Sequence, residues 1–243
     1  MQIGIIGHGK LGGALARGFE QHPQVRAIDA TTRASAARNR SVAEASNVVV
    51  VCVKARDAAE VCVQIAPAMR ADQLLISAVA AVDTASLTKW LEERTRVVRV
   101  MPNTPARVAA AMTVLARTDS SDAAALQQTQ SLFDAFGRTL ILDEALMDAV
   151  TAVSGCGPAF VFVAIEAMID GAIALGIPYD QARVLVAQTV FGSARLVLES
   201  DAHPGALKHD VTTPAGRTIK GLIELEDGKL RATLVKAVVA AAR

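Results

Sequence analysis

Five short runs rich in Val and Ile, alternating with Ala-rich segments of helical period up to about residue 142, predict an α/β chain that opens with a doubly wound parallel sheet. After Asp143 such runs stop and only helical segments follow, so the expected second half is all-helical. The expected domains are residues 1–145 for the sheet and 146–243 for the helices.

The first run, Gln2 to Ile6, leads into a helix from Lys10 to Glu20. Val25 to Thr31 is the second strand. Val48 to Val53 lacks polar alternation, as a central parallel strand covered on both faces should. A helix over Asp57 to Met69 follows, then a strand over Leu74 to Ala78, a helix over Thr84 to Trp90, a strand over Val97 to Met101 and a helix over Asp122 to Phe136. The later helices break at Gly155 to Pro158, Gly176 to Pro178, His203 to Gly205, Thr213 to Gly216 and Asp227-Gly228, where Gly and Pro interrupt the period.

Between Gln181 and Glu199, one apolar face carries Ala182, Leu185, Val186, Thr189, Val190, Leu196 and Val197. Val184, Phe191 and Leu198 form a second stripe on the other side. A helix apolar on two sides must be covered on two sides, and so small a domain points to an interlocked dimer; a central helix wrapped within one monomer is the alternative. Ala159 to Ile177 has the length of a membrane span, but Glu166 and Asp170 lie one turn apart on it, so a buried globular helix is expected.

The chain has 243 residues, of which 52% are hydrophobic, enough for real cores and incompatible with disorder. Lys and Arg number 25 against 24 Asp and Glu, giving a formal charge of +1. No broad positive field exists to gather nucleic acid or an anionic membrane, and a small molecule is the expected partner. The start Met-Gln-Ile-Gly-Ile-Ile lacks the pattern of a secretory leader, so a cytoplasmic protein is expected. Cys52, Cys62 and Cys156 form no CxxC pair, which indicates neither a disulfide framework nor a metal site.

Gly7-His8-Gly9-Lys10-Leu11-Gly12 satisfies GxGxxG between the first strand and the first helix. In that context it is the phosphate turn of a Rossmann-like dinucleotide site: Gly7 for the tight turn, Gly9 for approach of the pyrophosphate, Gly12 for close packing of helix on strand. Where an NAD enzyme places an acid after the second strand, this chain reads Ala30-Thr31-Thr32-Arg33. Thr32 and Arg33 suit a 2′-phosphate, so NADPH is the expected coenzyme; a strand ending two residues earlier would put Asp29 at the ribose and keeps NADH open. Val53-Lys54, Ala78 and Met101-Pro102-Asn103 end later strands at the sheet edge where ligands bind, with the Asn103 amide suited to the nicotinamide or a ribose hydroxyl.

Ser154-Gly155-Cys156-Gly157-Pro158 reads as a close approach to coenzyme or as a hinge, and Cys156 has no neighbouring base to make it a nucleophile. Val211 to Thr218 opens a helix whose first amides could hold a substrate carboxylate, unless Thr213 or Thr218 is only a cap. The four histidines, His8, His22, His203 and His209, show no partner pattern and read as structural or solvated.

Taken together, these segments resemble the pyrroline-5-carboxylate reductases almost end to end. The resemblance is carried by Ile3 to Gly9, Val53-Lys54, Arg99 to Pro105, Ser154 to Phe160, Glu166-Ala167, Gln188 to Val190, His203 to Leu207 and Val211 to Thr218. It implies hydride transfer from NAD(P)H to the ring C=N carbon of 1-pyrroline-5-carboxylate, giving L-proline. It also implies that Thr213, Gly216, Arg217 and Thr218 hold the substrate, with the Thr218 hydroxyl on the ring nitrogen as the catalytic group. A homodimer through the second-half helices, joined into larger assemblies, is implied as well. Ala55 stands for the family's Pro, Ala81, Ala111 and Ala215 for Gly, Cys156 for Ser, and Arg217 for a small residue; Ile28 to Asn47 is shorter than usual. Arg217 either crowds the pocket or adds a carboxylate contact. The other readings are a reductase of another cyclic imine and an inert nucleotide-binding regulator. A β-hydroxyacid dehydrogenase would want a Lys on the long helix, and Ala159 to Leu175 has none.

Overall fold

The computed structural model describes residues 1–243 and divides into two compact units, Met1–Cys156 with Ala242–Arg243, and Gly157–Ala241. The strand runs end near the residue where the sequence reading divides the chain, but residues 146–156 belong by packing to the first unit. Met147 and Val150 are buried there against Met101 and Val114.

In the first unit, seven strands line up in the order β2-β1-β3-β4-β5-β6-β7. They are β1 (Gln2–Ile6), β2 (Ala27–Thr31), β3 (Val48–Val51), β4 (Leu74–Ser77), β5 (Arg96–Met101), β6 (Ala111–Arg117) and β7 (Gly137–Asp143). All neighbours are parallel except β5 and β6. Helices α1 (Lys10–Phe19), α2 (Asn39–Ala45), α3 (Ala55–Ile65), α4 (Thr84–Trp90), α5 (Ala123–Asp134) and the short α6 (Met147–Val150) complete this unit.

Alternate residues of the central strands feed two cores. Ile3, Ile5, Val48, Val50, Leu74 and Ile76 pack toward α1 and α5, whereas Ile6, Val49, Val51 and Leu75 pack with residues of α3 and α4. All four valines of β3 are fully buried, the two-sided cover that its unbroken apolar run predicts. Phe19 meets Phe133 and Phe136 edge-on, with ring centroids 5.2 and 5.4 Å away. His22 is structural: its ring bonds Ser131 Oγ at 3.1 Å and accepts from the Gln24 amide at 3.2 Å.

The chain runs from β1 through α1 to β2 on one side, then returns to β3 on the other side of β1. That reversal leaves a crevice beyond the carboxyl ends of β1 and β3, the place where open α/β sheets bind ligands.

The second unit is all helix: α7 (Gly157–Ala174), α8 (Tyr179–Glu199), α9 (Pro204–Asp210), α10 (Arg217–Asp227) and α11 (Leu230–Ala241). The expectation of a buried α7 fails within one chain. Only Ile169 is buried on it, while Val161, Phe162 and Val163 face outward. Nor is α8 wrapped inside a monomer: Val184, Phe191 and Leu198 on one stripe and Leu185, Leu196 and Val197 on the other are all exposed. The stretch Glu144–Ala174 is long and apolar enough to cross a membrane by length and composition.

Candidate active site

The crevice is a cleft of about 440 Å³ whose lining includes Gly7, His8, Gly9, Thr32, Arg33, Val53 and Lys54. Gly7 has a φ of +102°, and a Cβ there would lie 2.6 Å from the Cys52 carbonyl oxygen, so β1 and β3 can end side by side only with glycine. A Cβ on Gly12 would collide with the Gly7 carbonyl oxygen. Gly9, by contrast, has open space around its missing side chain, which lets a ligand reach the backbone. The amides of Gly7 and His8 bond the Thr31 carbonyl at 3.1 and 2.7 Å and fix the turn to the end of β2.

Gly9 caps α1 without a side-chain hydrogen bond, and no acid stands in the first turn. The first amides of α1 are therefore left for an outside acceptor. An oriented set of free amides at the positive end of a helix, beside an open glycine, fits a pyrophosphate. Lys10 and Leu11 belong to that first turn.

At the end of β2, Thr31 is buried, and its hydroxyl donates to Asn39 Oδ1 at 2.6 Å. Asn39 in turn donates to Gln64 Oε1 at 2.9 Å. The Thr32 amide donates to Ser35 Oγ at 2.8 Å. Arg33, 77% exposed, reaches across the cleft to Asp57 Oδ2 at 3.0 Å. Asp29 is held away from this site by Arg38 at 2.6 Å and does not line the cleft. The Arg56, Asp57, Asn39 and Gln64 contributions were not legible as site residues, although Arg56-Asp57, in the first turn of α3, lies only one residue beyond Val53-Lys54. Ala55 is the first residue of α3, the helix position where proline fits best.

Farther along the sheet edge, Ala78 is buried just past β4, with its amide on the Val51 carbonyl at 2.9 Å. Met101 ends β5, and Pro102 follows. Asn103 acts first as a brace: its Oδ1 accepts from the Met112 amide at 3.0 Å, and its Nδ2 donates to the Ser154 carbonyl at 3.2 Å. Desolvation pushes the Cys52 thiol up to about 12 and the buried Cys62 thiol up to about 11, so both stay protonated and neither is a nucleophile near neutral pH.

In the second unit, Gly216 caps α10 with no side-chain hydrogen bond, and no acid occupies the first turn. Arg217 and Thr218 are the first two residues of α10 and are exposed. The Gly216 amide bonds the Thr213 carbonyl at 3.0 Å, and a Cβ on Gly216 would collide with Thr213 Oγ1, which fixes the turn before the helix. Ala215 has a φ of +57° and Ala81 one of +58°, so two of the alanines standing where the family has glycine carry left-handed strain. Ala215→Gly is expected to raise the midpoint of thermal unfolding, since the relief of about 1 kcal/mol outweighs the added chain entropy. An unchanged or lower midpoint in a calorimetric scan would contradict that strain.

A glycine turn with free amides at the switch point of a doubly wound sheet, followed by a helical half with bare apolar faces, defines a dinucleotide-dependent oxidoreductase of the two-domain kind. Residues 144–243 match the family described as pyrroline-5-carboxylate reductase dimerisation, and residues 2–81 match the coenzyme F420-dependent NADP oxidoreductases. The chain is 38% identical to the pyrroline-5-carboxylate reductase of Pisum sativum, covering 99% of this chain and 93% of that one. The Schizosaccharomyces pombe reductase is 41% identical, covering 84% of this chain and 72% of that one. Among solved structures, the Plasmodium falciparum pyrroline carboxylate reductase with NADP bound superposes with a TM-score of 0.89 at 28% identity, covering 100% of this chain and 95% of that one. The Coxiella burnetii reductase gives 0.85 at 30% identity, covering 99% and 95%. The chain belongs to the pyrroline-5-carboxylate reductase family. A small-molecule substrate and a dimer follow from that membership, and an interface built from residues 144–243 accounts for the bare faces of α7 and α8.

Proposed function

We infer that this protein reduces the C=N bond of 1-pyrroline-5-carboxylate to L-proline with NADPH, NADH serving as the weaker coenzyme. The observation that carries the reading is the phosphate turn: Gly9 open to a ligand and the first amides of α1 without acceptors, in a chain of this family. Gly7, His8, Gly9, Lys10 and Leu11 hold the pyrophosphate, Thr32 and Arg33 the 2′-phosphate. Val53, Lys54, Ala78, Met101, Pro102 and Asn103 line the path to the nicotinamide.

The bound coenzyme supplies the hydride. This chain's own work is to hold the imine and keep water out. Gly216 opens the turn whose following amides, from Arg217 on, take the substrate carboxylate, helped by the positive end of α10, and Thr213 fixes that turn by accepting from the Gly216 amide. The Thr218 hydroxyl is assigned to the ring nitrogen, accepting from its N–H when the imine is protonated. Arg217 in place of a small residue favours a second reading in which the preferred substrate is a different cyclic imine. The enzyme works in the cytoplasm as a homodimer, with dimers joined into a larger assembly, and meets neither membrane nor nucleic acid.

Arg33→Ala is expected to raise KM for NADPH about tenfold, the scale of one charge-assisted hydrogen bond, and to leave KM for NADH nearly unchanged. Equal changes for both coenzymes would refute the role of Arg33. The reaction itself is tested by following NADPH and NADH oxidation together with proline formation.

A further inference from the structure

We propose that Asp57 sets the coenzyme preference of this enzyme by holding the Arg33 guanidinium, so that a 2′-phosphate must take Arg33 from it. The proposal rests on the NADPH reading above.

Asp57 lines the same cleft as Gly9, Thr32 and Arg33, but it comes from α3 rather than from the end of β2, where a coenzyme-selecting acid is usually sought. Its Oδ2 accepts from Arg33 Nη2 at 3.0 Å, while its Oδ1 lies 3.6 Å from Arg56 Nε. The carboxylate thus occupies the guanidinium in the way a phosphate oxygen would. Asp29, at the end of β2, is taken by Arg38 at 2.6 Å, and Glu60, the other acid lining the cleft, forms no ion pair with Arg33, so Asp57 alone holds that guanidinium. The pair is exposed on the arginine side, 77% against 30% for the aspartate, so its strength is that of a surface ion pair and a dianionic phosphate can displace it. A ligand without the 2′-phosphate gains nothing from Arg33 and leaves the pair closed. The arrangement lowers the advantage of NADP(H) over NAD(H) without abolishing it, which makes Asp57 a specificity-determining residue.

The experiment is calorimetric titration of NADP⁺ and NAD⁺ into the dimeric enzyme and into Asp57→Asn, Arg33→Ala and the double variant, comparing the ratio of the two Kd values within each protein. The ratio cancels any general effect on the shared pyrophosphate. Asp57→Asn keeps the shape of the side chain and weakens its hold, and is expected to raise the preference for NADP⁺ about three- to fivefold, the scale of one exposed ion pair. In the Arg33→Ala background the same change is expected to leave the ratio unmoved. An unaltered ratio in Asp57→Asn, with Arg33→Ala lowering it, would overturn the proposal alone. A shift of equal size in both backgrounds would overturn it too, since Asp57 would then act as a plain repulsive charge. If Arg33→Ala leaves the ratio as it is, the 2′-phosphate reading fails and the proposal falls with it.

Discussion

Gly12→Ala is expected to lower coenzyme affinity by about a hundredfold, or about 2.7 kcal/mol. The Cα of Gly12 packs so closely on the Gly7 carbonyl that any Cβ meets backbone oxygen rather than a side chain that could swing away. Helix α1 must then back off the turn, at a strain of about 1–3 kcal/mol, and its first amides no longer converge on the pyrophosphate. Because Gly7 also bonds the Thr31 carbonyl through its amide, the shift carries to the end of β2 and to Thr32 and Arg33. Titration of NADPH by calorimetry measures the loss, with circular dichroism showing that the sheet persists. Affinity within about threefold of the parent would mean that the helix terminus is not the phosphate site.

Thr218→Val should have the second large effect, this time on turnover. The substitution keeps the branched shape and removes only the hydroxyl, and Thr218 is exposed in the first turn of α10, so stability should hardly change. If the hydroxyl holds the ring nitrogen where the proton resides, kcat should fall about a hundredfold while coenzyme KM stays put. Stopped-flow or steady-state oxidation of NADPH with racemic substrate checks this. Full activity in the variant would remove Thr218 from the mechanism and leave the carboxylate-binding amides to do the positioning alone.

How much of this was legible depended on whether the controlling interaction is local. The β3 valines and the glycine turn could be read from the chain because each rests on its own few residues and on one rule of packing or backbone geometry. Strands β6 and β7 were not singled out. β6 reverses direction against β5, and β7 sits at the sheet edge with Arg138 and Leu140 exposed, so neither shows the unbroken apolar run of a buried parallel strand. The strand ends were read two residues long at β3, since Cys52 and Val53 are apolar but have left the sheet to form the cleft wall.

At the site, the brace by Asn103 depends on Ser154, fifty-one residues later, and the hold of Asp57 on Arg33 crosses from the turn after β2 to α3. Neither distance leaves a trace in a local pattern. Ala215 illustrates the opposite case: the sequence flags an alanine where the family has glycine, and the positive φ shows why that position disfavours any side chain. The apolar faces of α8 were visible as a period, whereas α7 was expected to be buried. Within one chain it is bare, because its cover belongs to an interface the single sequence does not contain.

The most direct test of the account is oxidation of NADPH and NADH by the purified protein with 1-pyrroline-5-carboxylate, following absorbance at the nicotinamide band and proline formation in the same reaction. The account predicts stoichiometric proline and a higher kcat/KM with NADPH. Coenzyme binding without turnover of this substrate would contradict it and assign the chain to another cyclic imine or to a regulatory role.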